Sequence, residues 1–400
     1  MCNFNHCILV SLFFCSTAIL NAQSWTNKSA YPGTAIDDGI GFSINGTGYV
    51  GTGIANGAIF QNIFYRYDAP SDTWSQISSI IGDDRQYCSS FVVNGKGYII
   101  GGVLPNWTYT NEVQAYDPST NTWKIKALFP GSSRSALATF SIGAIGYAGG
   151  GKGLNQSYND FWAYHPGTNQ WKQKANIPGG TRYEAISFSI GGFGYVGGGK
   201  DVAGNCYSDF WKYIPITDRW EQMASFPGNI CSYGISFSHG DKGYICTGMD
   251  NNNNIINEFW QYNSIANNWI QLNTPEFDKI RGVSAFIIDH CVYLTTGKDE
   301  NNARLNETWS HCMPALDELT ISVYPNPSYD FIRIDLINQT VDGQFLLFNV
   351  MGQLVLEQEI AQEMHSFDLN VQSINAGLYY LKLFDHENNT LYSTKIIKCN

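Results

Sequence analysis

The sequence predicts an all-β molecule, a six-bladed β-propeller followed by a small Ig-like β-sandwich. Three observations predict it. Trp recurs at positions 25, 74, 123, 171, 220 and 269, spaced by 49, 49, 48, 49 and 49 residues. Tyr49, Tyr98, Tyr147, Tyr195, Tyr244 and Tyr293 keep the same spacings, and Tyr67, Tyr116, Tyr164, Tyr213 and Tyr262 each stand seven residues before the next Trp. Beyond Pro314 the period stops, and short runs of alternating apolar and polar residues begin. A fixed period of this length marks stacked supersecondary units.

Each unit reads as four short strands. An apolar run ends in a Gly turn, as in FSINGTGY and FVVNGKGY, and a second run leads into glycines, as in Tyr98-Ile-Ile-Gly-Gly. A polar loop follows, then a third run such as IFYRYD or DFWAYH, then a turn of the type Pro118-Ser-Thr-Asn-Thr, then the Trp of a fourth run. Gly, Asn, Asp and Pro set turns, and aromatic residues favour strands. Four antiparallel strands form one propeller blade. The glycines are expected where inner strands converge on the axis, and Tyr and Trp where blade packs on blade. The six second-run tyrosines give six blades. The sixth lacks a following Trp and Trp25 lacks a preceding blade, so residues 25–28 are expected to supply the last blade's outer strand.

Composition agrees. Charged residues are 14% and hydrophobic residues 44%, with 40 Gly, 11 Trp, 24 Tyr and 23 Phe in 400 residues. The net charge of −11 and the absence of a basic run argue against nucleic acid and anionic membranes. Cys7–Leu20 is too short to span a bilayer and reads as the core of a secretory signal over residues 1–22. No transmembrane segment is expected. The propeller is then assigned to residues 23–315. Seven scattered cysteines remain, which is not a disulfide framework, and no CxxC suggests zinc. One pair is a candidate: a hairpin with Gly297 opposite Asn306 sets Cys291 opposite Cys312.

The repeat resembles the kelch family through Gly101-Gly102, Gly149-Gly150 and Gly197-Gly198, the pairs Tyr67-Asp68 and Tyr116-Asp117, and the following Trp. The resemblance covers residues 25 to about 312. It departs where blades one, five and six read GTG, CTG and TTG, and where His165, Ile214 and Asn263 follow the Tyr. Residues 319–400 resemble the C-terminal sorting domain of type IX secretion cargo in Bacteroidetes. The motifs are Val323-Tyr-Pro-Asn-Pro327, Met351-Gly-Gln353, Gly377-Leu-Tyr379 and Lys395-Ile-Ile-Lys398. That resemblance implies handling by the type IX machinery and a destination outside the cell or on the outer-membrane surface.

Arg85, Arg134 and Arg182 each precede the Gly of a Gly-Tyr pair by twelve residues, and Arg281 is one residue out of phase. All four are expected at one mouth of the channel, where kelch propellers bind ligands. Clustered guanidiniums favour carboxylates or phosphates, so an anionic glycan or a protein is the expected partner. The alternative makes each Arg a repeat residue holding neighbouring backbone. Catalytic motifs are missing: there is no GxSxG, HExxH or phosphate loop. His165, His239, His290 and His311 fall on different strand types, so neither metal nor other cofactor is expected. Among kelch propellers, copper radical oxidases need a Tyr–Cys crosslink that cannot be placed here. Sialic-acid mutarotases need an acid/base pair in a mouth pocket, which Glu184 beside Arg182 would supply. A binding module for a glycan, peptide or protein is therefore the first reading, and a carbohydrate-active enzyme of mutarotase type the second.

Overall fold

A computed structural model describes residues 24–314, 320–324, 328–337, 343–360, 366–385 and 390–399; the expected signal over residues 1–22 lies outside them. Between residues 24 and 314 the chain forms six four-stranded antiparallel sheets. The first holds Ile40–Ile44, Thr47–Gly51, Phe64–Asp68 and Thr73–Ile77. Its inner hairpin turns at Asn45-Gly46, with φ of 48° and 73°, the left-handed pair that two-residue hairpins require. The inner strands are Ile40–Ile44, Ser89–Val93, Ala138–Ile142, Ile186–Ile190, Ile235–His239 and Ser284–Ile288. Each touches the next, and the sixth touches the first, so they enclose a channel. The sixth sheet takes Thr26–Lys28 as its outer strand, with Thr26 opposite Ser310.

Neighbouring blades are stapled by the periodic aromatics. The Tyr67 hydroxyl donates to Asp72 at 2.6 Å, and Tyr164 does the same to Asn169 at 2.7 Å. The same Asp or Asn oxygen accepts a backbone N–H from the preceding blade, as Ser29 to Asp72 at 2.9 Å and Ala127 to Asn169 at 2.9 Å. The repeat Trp then donates its indole N–H to the carbonyl at that spot: Trp74 to Ser29 at 2.9 Å, Trp123 to Ser78 at 2.8 Å, Trp220 to Ala175 at 2.8 Å. Tyr, Asp or Asn, and Trp thus act as one unit across each seam, and buried ring area adds to it.

At the axis, Gly41 on the first inner strand leaves no room for a Cβ, which would meet the Ala285 backbone at 2.2 Å, while the Gly of each Gly-Tyr pair works at a seam. A Cβ on Gly97, Gly146, Gly194 or Gly243 would meet the Phe ring of the preceding blade's inner strand at 2.1–2.3 Å. Elsewhere at the axis, small side chains bond across blades. The Thr139 hydroxyl donates to the Ser90 carbonyl at 2.6 Å, and Ser236 donates to the Ser187 carbonyl at 3.0 Å.

Among the described residues, two disulfides form. Cys291 and Cys312 are directly opposed across the last hairpin and bonded. Cys206–Cys231 joins the fourth blade's loop to the fifth blade, which corrects the expectation that the scattered cysteines make no framework. They are scattered in sequence because the ring brings different blades together.

The C-terminal residues form a three-stranded sheet of Thr320–Tyr324, Phe331–Ile337 and Ser366–Asn370. Facing it is a four-stranded sheet of Leu354–Ile360, Gly343–Asn349, Gly377–Asp385 and Thr390–Lys398. Both sheets bury their alternate apolar residues in one core with Ile334, Leu347, Leu381 and Ile396 fully enclosed. This module meets the propeller at the fourth blade's inner turn: the Ser366 hydroxyl donates to the Gly191 carbonyl, and Arg333 lies over the Phe193 ring at 4.5 Å. Among the described residues, no helix is long and apolar enough to cross a membrane.

Candidate functional site

Two residues before the start of each inner strand, the backbone enters the left-handed region. Asp38, Tyr87, Ala136, Glu184, Tyr233 and Gly282 have φ of 57°, 55°, 53°, 53°, 58° and 61°. Such values are uncommon for residues other than Gly and persist only where surroundings enforce them. Here backbone bonds from blade to blade enforce them. The Asp38 N–H donates to the Gly282 carbonyl at 2.8 Å, Tyr87 to Asp38 at 3.0 Å, Ala136 to Tyr87 at 3.0 Å and Glu184 to Ala136 at 3.2 Å. The six positions keep the repeat's spacing while their side chains differ.

These residues line a cavity of about 260 Å³ at one end of the channel. Blade order places Asp38 across from Glu184, Tyr87 across from Tyr233, and the small Ala136 across from Gly282. The two tyrosine hydroxyls meet at 3.0 Å, spanning the channel. Arg281 lies over the Tyr233 ring at 4.8 Å, with Nη1 at 3.6 Å from Asp37 and 3.7 Å from Asp38. Those distances give charge contact without a hydrogen bond. Asp37 is satisfied by Arg304 Nε at 2.5 Å. Lys200 stands 3.6 Å from Glu184 Oε2 and donates to Ser232 at 3.1 Å. Three buried polar atoms face this region without a hydrogen-bond partner: Asp38 Oδ1, Glu184 Oε2 and Arg281 Nη1. Unmade buried bonds are costly, so the site is complementary to a ligand with two donors and an acceptor.

Burial, then the neighbouring Asp37 charge, pushes the Asp38 carboxyl up to about 8 against the pull of Arg281. Burial also raises Glu184, opposed first by Lys200 and then by Lys152. Burial lifts both Tyr87 and Tyr233, so neither ionises at neutral pH. A carboxylic acid kept neutral can donate a hydrogen bond or a proton, and one facing a second carboxyl forms an acid/base pair.

The arginines fall elsewhere than expected. Arg85, Arg134 and Arg182 are 2%, 1% and 0% exposed and do not line the mouth cavity. Arg85 pairs with Glu112 at 2.7 Å, Arg134 with Asp160, and Arg182 with both oxygens of Asp209 at 2.7 Å. Arg182 also donates to the Gly198 and Pro178 carbonyls at 3.2 and 3.0 Å. Above them lie loop tyrosines, Tyr158 over Arg134 at 3.6 Å and Tyr207 over Arg182 at 4.6 Å. Arg281 is also outside the cavity lining, but of the four it alone stands against lining residues, Tyr233 and Asp38, and its odd phase explains this. It aligns with Gln86, Ser135, Tyr183 and Ser232, all at the bridge before the inner strand, and not with Arg85. The cationic cluster is therefore replaced by one guanidinium among carboxyls. Tyr87 and Tyr233 went unassigned in the sequence, and Asp37 and Asp38 were read only as acids near the arginines that would offset their charge. The signal for the ring was a position with a fixed period and varied side chains. The signal for the buried pairs was a second periodic series, Glu112, Asp160 and Asp209.

Residues 51–232 match the family model of the KLHDC2/KLHL20/DRC7 Kelch-repeats domain. Residues 322–399 match that of the secretion system C-terminal sorting domain. Among curated proteins, the ulvan lyase NLR42 of Nonlabens ulvanivorans is 32% identical over 78 residues, 20% of this chain and 14% of that protein. So short a match leaves that protein's activity behind. Among solved structures, one entitled "Structure of YjhT" is similar with a TM-score of 0.59 at 15% identity, covering 74% of this chain and 97% of that one. At that identity the likeness is one of fold, which by itself assigns no function.

Proposed function

We propose that this chain, a kelch-repeat propeller sent out of the cell by its C-terminal sorting domain, is a binding module that holds a hydroxyl-rich ligand, a glycan, in its channel mouth. The observation that carries this reading is the set of buried atoms beside one cavity that make charge contacts but no hydrogen bond, Asp38 Oδ1, Glu184 Oε2 and Arg281 Nη1. Vicinal hydroxyls donate and accept at once, so a sugar satisfies all three. An anionic group alone satisfies only Arg281 and would stand against three carboxyls. Type IX secretion machinery remains the expected partner of residues 319–400, and a protein ligand the competing occupant of the mouth.

A second reading is favoured by the raised carboxyls: an anomer-interconverting enzyme of mutarotase type. Glu184 would take the proton of the anomeric hydroxyl while neutral Asp38 protonates the ring oxygen. The ring C–O bond opens to a carbonyl, the chain turns, and the steps reverse to close the other anomer. Calorimetry on the full chain with neutral and acidic monosaccharides, together with polarimetry of their anomers, tests both readings. Binding without acceleration supports the module. Acceleration abolished in Glu184→Gln, with binding kept, supports the enzyme. Binding that survives Asp38→Asn, Glu184→Gln and Arg281→Ala unchanged refutes the mouth as the site.

A further inference from the structure

On the mouth side of the ring, the loops between second and third strands of blades two and three leave a groove of about 430 Å³. Trp107 forms one wall and is 58% exposed, with φ at 62°. A bulky residue in that conformation is an outlier that suggests a function. The loop is built to hold it there. The Asn106 side chain accepts the Thr108 N–H at 3.1 Å and its hydroxyl at 2.6 Å, and the Phe60 ring meets the indole edge-on at 5.4 Å. The opposite wall carries Leu154, 74% exposed. The floor is Tyr158, pinned on Arg134 at 3.6 Å and accepting from the Gln156 amide at 2.8 Å. Asn155 and Gln156 give the groove a polar edge.

The groove lies beside the mouth, on loops whose backbone adjoins the residues that line it. Tyr109 pairs with Val103, and Val103 with Gln86, the neighbour of Tyr87; Tyr158 pairs with Arg182, two residues before Glu184. Tyr109 is also close enough to raise Tyr183, which flanks Glu184.

We infer that this groove is an outer subsite for an oligosaccharide whose first unit occupies the mouth. The inference rests on the glycan reading above. A pyranose has an apolar C–H face and a rim of hydroxyls; Trp107 and Leu154 suit the face, Asn155 and Gln156 the rim. An extended peptide is the competing occupant.

The test is calorimetry on the full chain with neutral gluco-, manno- and galacto-oligosaccharides of one to six units, on the parent, Trp107→Ala and Trp107→Phe. The expected result is an affinity that rises about tenfold or more from one unit to three. Trp107→Ala flattens that rise and leaves monosaccharide affinity unchanged, and Trp107→Phe restores most of it. Monosaccharide binding with no length dependence overturns the subsite and spares the mouth. Equal loss of mono- and trisaccharide affinity in Trp107→Ala also overturns it. Binding of no sugar at any length overturns both readings.

Discussion

Replacing Asp209 with Ala deletes the carboxylate that neutralises a fully buried guanidinium. Arg182 is 0% exposed and spends both Nη atoms on Asp209 at 2.7 Å, with two carbonyls as its remaining partners. The variant leaves that charge buried and unpaired, a loss of about 3–5 kcal/mol. With a urea slope near 3 kcal/mol per M, the midpoint falls by about 1 M or more. Intrinsic fluorescence of the full chain reads this cleanly, because all eleven tryptophans lie between residues 25 and 309. Replacing the pair together, Arg182→Met with Asp209→Leu, recovers most of the loss, since apolar residues of similar volume often match a buried ion pair. The reasoning fails if Asp209→Ala leaves the midpoint in place, or if it abolishes sugar binding while the propeller stays as stable as the parent.

The raised Asp38 carboxyl makes propeller stability fall as pH climbs. The folded state keeps a proton that the unfolded chain releases near 4, so stability declines from there through about 8, by at most ~1.4 kcal/mol per pH unit. Urea midpoints between pH 5 and 9 are expected to flatten in Asp38→Asn. Gly194→Ala pushes a methyl against the Phe140 ring, where a Cβ would stand at 2.1 Å. A loss of about 1–3 kcal/mol is expected in fluorescence-monitored unfolding. Opening Cys206–Cys231 with paired Ser substitutions frees a loop with a sequence separation of 25, costing about 3 kcal/mol by chain entropy. Calorimetric unfolding of the Ser pair against the parent measures it.

The period made the fold class legible, because a blade needs the same aromatics and glycines at every turn of the ring. The same period misled about the arginines. Adjacent residues along a strand face opposite sides, so a periodic Arg says that three side chains are equivalent and not which way they point. Direction came from partners, Glu112, Asp160 and Asp209, that lie about 27 residues downstream across a loop. The mouth was half legible. Glu184 and Arg281 were named from their chemistry, whereas Asp38, Tyr87 and Tyr233 reach it through left-handed backbone that side chains of those types do not announce. Cys206 and Cys231 belong to different blades, and only the curvature of the ring joins them.

Thr26–Lys28 makes the ring's last seam out of the chain's earliest described strand, pairing with residues 308–310. A strand made before all six blades is thus the last to find its place. By loop-closure arithmetic the long wait is cheap at equilibrium, about 1.5 kcal/mol more than closing a single blade. In time it is not cheap: until Thr26–Lys28 docks, the sixth blade offers a bare edge at residues 308–310. Proteolytic loss of Thr26–Lys28 therefore acts as an unlocking of the whole ring, since it bares the edge at residues 308–310.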